Sequence, residues 1–340
     1  MKILALILAG GEGSRLFPLT AKHAKPALPF ANGYRIIDFV LSNLVNSGVS
    51  SIYVLAQYKP QSLIDHLTAT WASRFDGKDR HLRVILPETD RGAGSFRGTA
   101  DAVYQNLHLI DRHKPDLVAV FAADHVYRMD VRQMVGFHKG CNADISVAAV
   151  PVPIEKASAF GIMVTGRDGR ICEFQEKPER PAPVATDPTC AFASMGNYLF
   201  EPDVLADLLE ESNRNGSSDF GRDILPHVPE RYRTFAYDFS SNLLPGIAPH
   251  EERGYWRDVG TVEAFAAAQK DILGSRPRFN LHNQEWPLLD GGYQARTGKV
   301  GNNRFRKKIQ VKPSSRSRRE FDGRTPDRTK VCALLEDAAR

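Results

Sequence analysis

Four short segments carry residues that could do chemistry. The first is a glycine-rich loop, Gly10-Gly11-Glu12-Gly13-Ser14-Arg15-Leu16, directly after an apolar run. Glycines there let the backbone approach phosphates closely, with N–H groups aimed at anions. It fits neither common nucleotide loop. A dinucleotide loop needs a third glycine where Leu16 stands, and no Gly-Lys-Ser/Thr follows to make a Walker loop. Arg15 and Lys25 place two cations in one short segment that also holds Pro18, Pro26 and Pro29. A proline-stiffened cationic loop suits a polyphosphate. A tight strand-to-helix turn is the plain alternative.

The second segment holds Asp124, just past the carboxyl end of the apolar stretch Leu117–Ala122. In open α/β sheets ligands bind at that edge. A carboxylate there suits Mg²⁺, which takes oxygen ligands and usually only one or two carboxylates plus phosphates. The third is Asp258 in Trp256-Arg257-Asp258-Val259-Gly260. Either aspartate could instead cap the element that follows it, Asp258 a helix starting near Val262. The fourth, Glu176-Lys177-Pro178, ends a predicted strand, where a lysine is ordinarily a solvated surface charge.

These residues need a scaffold. Lys2–Ala9 is a continuous apolar run and reads as a buried strand. Ile36–Ser47 has helical spacing, with Gly48 where a C-cap would stand. Ser51–Ala56 and Leu82–Leu86 are strands, Gln61–Ala69 and Thr99–Ile110 helices, and Asp116–Ala122 a fourth buried strand. That alternation predicts βαβ units and a mostly parallel sheet covered on both faces. After Val150 the rhythm changes. Ile162–Thr165, Ile171–Gln175 and Met195–Phe200 are short strands that read as a smaller mixed-sheet lobe, with helices over Val204–Glu211 and Val262–Leu273.

The chain has 340 residues, 42% hydrophobic and 25% charged, ordinary for a globular protein. No apolar run approaches the ~20 residues of a membrane span. Met1–Ala9 lacks the features of a signal peptide. Four cysteines, Cys141, Cys172, Cys190 and Cys332, form no C-x-x-C pair, which fits a reducing, cytoplasmic compartment. The net charge of +5 is unevenly placed. Residues 291–340 carry 14 Lys+Arg against 5 Asp+Glu, whereas the first 290 carry 31 against 35.

Five motifs in order give a resemblance. Gly10-Gly11-x-Gly13-Ser14-Arg15-Leu16-x-Pro18-Leu19-Thr20 with Lys25-Pro26-Ala27 resembles the signature of sugar-nucleotide pyrophosphorylases. Phe96-Arg97-Gly98-Thr99-Ala100-Asp101-Ala102, Pro151–Gly161, Phe174–Pro178 and Tyr255–Thr261 are similar to bacterial ADP-glucose pyrophosphorylases over roughly residues 3–287. The resemblance implies a Rossmann-like nucleotidyltransferase domain over residues 1–287, with a mostly parallel or mixed central sheet flanked by helices. It implies adenylyl transfer from ATP to α-D-glucose 1-phosphate, giving ADP-glucose for glycogen. Asp124 and Asp258 would then hold the catalytic Mg²⁺, and Arg15 and Lys25 would neutralise the β- and γ-phosphates. Leu8, Gly10, Gly11, Gly13, Gly98 and Thr99 would cradle the nucleotide. Lys177 would meet the phosphate of glucose 1-phosphate, with Glu176, Gly161, Ser194 and Phe96 on the sugar side. Lys22, His23 and Gln57 fall in segments the family links to allosteric control, the alternative being plain solvated surface. Two other readings stay open: a pyrophosphorylase for another nucleotide or sugar, and a non-catalytic subunit.

The sequence departs from the family in places. Ala123 stands where glycine is usual, Phe96 where tyrosine is common, Ser95 where tryptophan is common, and His23 where arginine is common. The family's C-terminal left-handed β-helix, tied to its homotetramer, is not recognisable. Residues 288–340 instead read as a basic, poorly ordered tail, and the shift in composition suggests a frameshift or a truncated reading frame, with the β-helix domain absent or truncated. A nucleic-acid role for this tail is disfavoured, because its basic runs lack interleaved aromatics and any motif.

Overall fold

The first apolar run forms β1 (Ile3–Ala9). Ala5, Ile7 and Ala9 enter one core, Leu4 and Leu6 another. Burial on both faces is why the strand reads as unbroken apolar sequence. The computed structural model describes residues 1–31, 33–77, 80–87, 95–289 and 311–313. The basic tail read from the sequence therefore lies largely outside the described residues.

Three single 3-10 turns follow β1, at Ser14–Leu16, Leu19–Ala21 and Lys25–Ala27. Next come the hairpin β2 (Pro29–Phe30) and β3 (Tyr34–Arg35), then α1 (Ile36–Asn46), β4 (Ser51–Ala56), α2 (Gln61–Thr70) and β5 (His81–Leu86). The chain continues through α3 (Thr99–Tyr104), α4 (His108–His113), β6 (Leu117–Ala122), β7 (His125–Tyr127), α5 (Val131–Gly140) and β8 (Ile145–Pro153). The remaining elements are β9 (Gly161–Thr165), β10 (Ile171–Glu176), β11 (Cys190–Phe200), α6 (Pro202–Arg214), β12 (Thr234–Asp238), β13 (Trp256–Asp258), α7 (Val262–Asp271) and β14 (Val311–Pro313).

The main sheet has ten strands, in the order β10-β9-β11-β6-β1-β4-β5-β14, with β8 on β11 and β12 on β8. The β6-β1-β4-β5 block is parallel, as the βαβ pattern requires. The later strands are not a separate lobe. β11 runs antiparallel to β6 at one end and to β9 near the other, so both halves share one sheet. The helix expected over Thr99–Ile110 is two. Asn106 turns its amide back to the Ala102 carbonyl at 2.8 Å, and α4 starts afresh at His108. Within the expected tail, β14 adds a parallel edge strand to β5. Leu289 and Pro287 are tied back to α1 through Ser42 and Asn46. No helix among the described residues is long and apolar enough to cross a membrane.

At the end of the sheet opposite the glycine loop, the Tyr53 hydroxyl meets His113 Nε2 at 2.7 Å. Burial pushes the His113 pKa down to about 4, helped by His81, Lys2, Arg112 and Arg83. Its folded pKa lies below its unfolded one, near 6.5. This residue's contribution is therefore complete above pH 6.5 and is lost as pH falls toward 4. One proton limits that slope to about 1.4 kcal/mol per pH unit. In urea unfolding, the wild type is expected to lose more stability between pH 7 and pH 5 than His113→Gln. Equal losses would show that His113 is not the group being charged.

Candidate active site

The carboxyl ends of β1, β4 and β6 open into a cleft of about 580 Å³. Leu8, Gly10, Gly11, Gly13, Arg15 and Lys25 line it on one side. Phe96, Gly98, Thr99 and Asp124 continue the lining, and Gly161, Glu176, Lys177 and Ser194 close the other side. Asp258 stands just behind, its Oδ1 3.0 Å from where a Cβ on Gly260 would lie, with an Arg15 Nη2 at 3.1 Å from the same point.

The two aspartates converge through backbone geometry. Asp124 occupies the turn between β6 and β7, and β13 pairs antiparallel with β7 so that Asp258 faces His125. Asp124, His125 and Asp258 offer ligand atoms within 4.8 Å of one another. Lys25 sits between the carboxylates, its Nζ 2.8 Å from Asp124 Oδ2 and 3.3 Å from Asp258 Oδ1. Burial works against ionisation of both Lys25 and Asp124, but attraction wins. The Lys25 pKa is raised by Asp124 and Asp258, and His125 and Lys25 hold the Asp124 carboxyl well below the usual carboxylate range. The donor set fits a divalent cation, since two hard carboxylate oxygens converge on a spot that already holds a positive charge.

Local structure explains why Lys25 stays there. It starts a single 3-10 turn with Pro26 behind it, and the turn's Ala27 carbonyl accepts from Arg35 Nη1 at 2.7 Å. The Arg35 amide in turn donates to Asp38 Oδ2 at 2.7 Å, and the buried Asp38 also accepts from Trp71 and His66. The backbone turn that carries Lys25 is thereby pinned to the start of α1.

On the opposite wall, Lys177 leaves β10 with φ 45, a left-handed conformation uncommon for a residue with a side chain. Its Nζ meets Glu176 Oε1 at 2.7 Å. Gly161 has no room for a side chain, as a Cβ would lie 2.5 Å from the Phe174 ring and 3.0 Å from Glu176 Oε2. Gln57 is not plain surface. Its side chain accepts from the Phe96 amide at 2.7 Å and donates to the Phe96 and Gly10 carbonyls at 3.2 and 3.4 Å. Lys22 is exposed and His23 half-buried, and neither lines the cleft.

The nucleotidyl transferase family model matches residues 4–275. The chain belongs to that family. It is 49% identical over 300 residues to the glucose-1-phosphate adenylyltransferase of Thermodesulfovibrio yellowstonii, covering 88% of this chain and 73% of that protein. The Thermus thermophilus enzyme of the same name is 49% identical over 297 residues, 85% of this chain and 71% of that one. That of Corynebacterium glutamicum is 48% identical over 289 residues, 84% and 70% respectively. These relatives agree with the resemblance carried by the five motifs.

The cleft of this nucleotidyl transferase also has lining residues that the motifs do not announce. Asp219, Phe220 and Gly221 line the cleft. Thr99 Oγ1 donates to Asp219 Oδ2 at 2.9 Å and accepts from the Phe220 amide at 3.0 Å. The Ser218 carbonyl takes the amides of Ala100 and Asp101 at 2.8 and 3.1 Å. The segment runs from a loop into a single π-helical turn, Phe220–Ile224, capped by Asp219, and is too short to leave a period in the sequence. Gly98 is what lets it dock, because a Cβ there would lie 2.4 Å from the Ser218 oxygen. Gly98→Ala is therefore expected to cost about 1–3 kcal/mol of stability, measured by chemical denaturation. An unchanged midpoint would mean the two segments can separate freely.

Proposed function

We propose that this chain transfers the adenylyl group of ATP to α-D-glucose 1-phosphate, forming ADP-glucose, a donor for α-glucan synthesis, and pyrophosphate. One observation carries the reading. Asp124, Asp258, Arg15 and Lys25 gather at one cleft, between a glycine loop and the polar wall at Glu176 and Lys177. The relatives' name, glucose-1-phosphate adenylyltransferase, supplies the two substrates.

In this reading a phosphate oxygen of the sugar attacks the α-phosphorus of ATP in line. The bond from that phosphorus to the β-phosphate bridging oxygen breaks, and pyrophosphate leaves with the electron pair. The nucleophile is already an anion at pH 7, since a phosphate monoester's second pKa is about 6. No general base is needed. Catalysis is positioning and charge neutralisation. The glycine loop and the Gly98-Thr99 turn hold the nucleotide, and Arg15 and Lys25 meet the β- and γ-phosphates. Lys177 meets the sugar's phosphate. Glu176, Ser194 and Asp219 face the hydroxyls, with Gly161 and Phe96 shaping the wall. Asp124 and Asp258 would hold Mg²⁺, which supplies positive charge where the two substrates' phosphates meet.

The test is pyrophosphate release from ATP, glucose 1-phosphate and Mg²⁺, with other nucleotides and sugar phosphates as a panel. Turnover restricted to ATP with glucose 1-phosphate is expected, and turnover only with another pair would overturn the substrate assignment. Asp124→Asn is expected to lower kcat about a hundredfold or more with an unchanged melting curve, and near-normal turnover would remove Asp124 from the mechanism. Lys177→Ala is expected mainly to raise KM for the sugar phosphate, by about tenfold. A fall in kcat alone would place Lys177 elsewhere in the reaction.

A further inference from the structure

Lys25 has two places to be. Its ammonium lies between Asp124 and Asp258, where a divalent cation would bind. Its side chain is only 9% exposed, so this is a built contact and not a surface lysine at rest. The proposed reaction needs the same ammonium on the phosphates of ATP. It cannot serve both, because a metal on Asp124 Oδ2 and an ammonium 2.8 Å from that oxygen would be like charges nearly in contact.

We infer that Lys25 is a resident counter-cation, held between the two carboxylates until the triphosphate draws it away, so that metal entry and nucleotide entry are coupled through one side chain. The inference rests on the reading of the site given above and goes beyond it in assigning an order. The backbone allows the movement. Pro26 and the Arg35–Ala27 bond hold the turn, so the movement falls to the four-carbon stem, whose single bonds can turn while the backbone stays in place. Its Cβ lies 3.3 Å from where a side chain on Gly13 would begin, so the stem starts beside the glycine loop. Rotation therefore carries the ammonium from the carboxylates toward the loop that would hold the triphosphate. As it leaves, the carboxylates lose their counter-charge and gain affinity for a divalent ion. Metal alone must evict the lysine with nothing to receive it, and so binds weakly. The coupling is reciprocal, as any linkage of two binding equilibria must be.

The test is Mn²⁺ binding to the full chain without nucleotide, followed by the paramagnetic resonance of free Mn²⁺. Lys25→Met is expected to bind Mn²⁺ at least tenfold more tightly than wild type. Lys25→Arg, which keeps a cation, should bind as weakly as wild type. The gain should vanish in Lys25→Met combined with Asp124→Asn. Equal affinities in wild type and Lys25→Met, or a gain that survives the loss of Asp124, would overturn the proposal. Should Lys25→Met fail to fold, Lys25→Gln carries the same comparison. Wild type gives a second readout in its melting temperature, where Mn²⁺ with tripolyphosphate is expected to raise it by more than the two separate shifts combined, and additive shifts would count against coupling. The pyrophosphate assay on Asp124→Asn separates the two failures: loss of turnover there, with equal Mn²⁺ affinities, removes the exchange and leaves the site reading standing.

Discussion

Two carboxylates that face each other at the edge of a sheet repel, and the architecture around this cleft answers that repulsion. The ladder between β7 and β13 sets Asp258 opposite His125, the neighbour of Asp124, and so brings the two carboxylates close. A positive charge must lie between them, and Lys25 provides it from a point far away in sequence. Asp38, Arg35 and the proline turn exist, in this view, to deliver one ammonium to one place. A cleft that depends on charge balance is therefore ready to exchange one cation for another.

The opposite wall solves a different problem, that of bringing backbone close without side chains in the way. Gly98 and Gly161 are required by space and not by dihedral angle. At Gly98 the docked segment around Ser218 and Asp219 closes the cleft. At Gly161 the Phe174 ring and the Glu176 carboxylate fill the volume a methyl would need. The first contact joins segments more than a hundred residues apart, whereas the second lies within the β9–β10 pair, where Gly161 stands opposite Glu176.

Sequence carried the central parallel block well, because β1, β4 and β6 are buried on both faces and their apolar runs have few alternative readings. It carried α5 poorly. The buried stripe Val131, Met134, Val135 and His138 has helical spacing, but one of the four is a histidine and Gly136 interrupts the pattern. Sheet continuity was not legible either. Short strands after Val150 give no sign that β11 will pair with β6, since pairing is decided by register across the chain. The individual chemical residues could be picked out, each with a plausible structural alternative, and the motif order decided among them. What no local pattern could give was Lys25 between the aspartates, or Asp219 and Phe220 in the cleft. These depend on contacts spanning 99 to 233 residues.

The position of β11 beside β6 also bears on how the chain comes into being. β6 is apolar throughout, and one of its edges has no partner until residues 197–200 have been made. At ordinary rates of synthesis that gap lasts roughly 4–15 seconds, long compared with the formation of the β1-α1-β4 unit. During it the nascent protein presents an adhesive, sheet-ready border to the cell. A fold dominated by such distant pairings matures slowly, and this one has reason to meet chaperones before it meets its substrates.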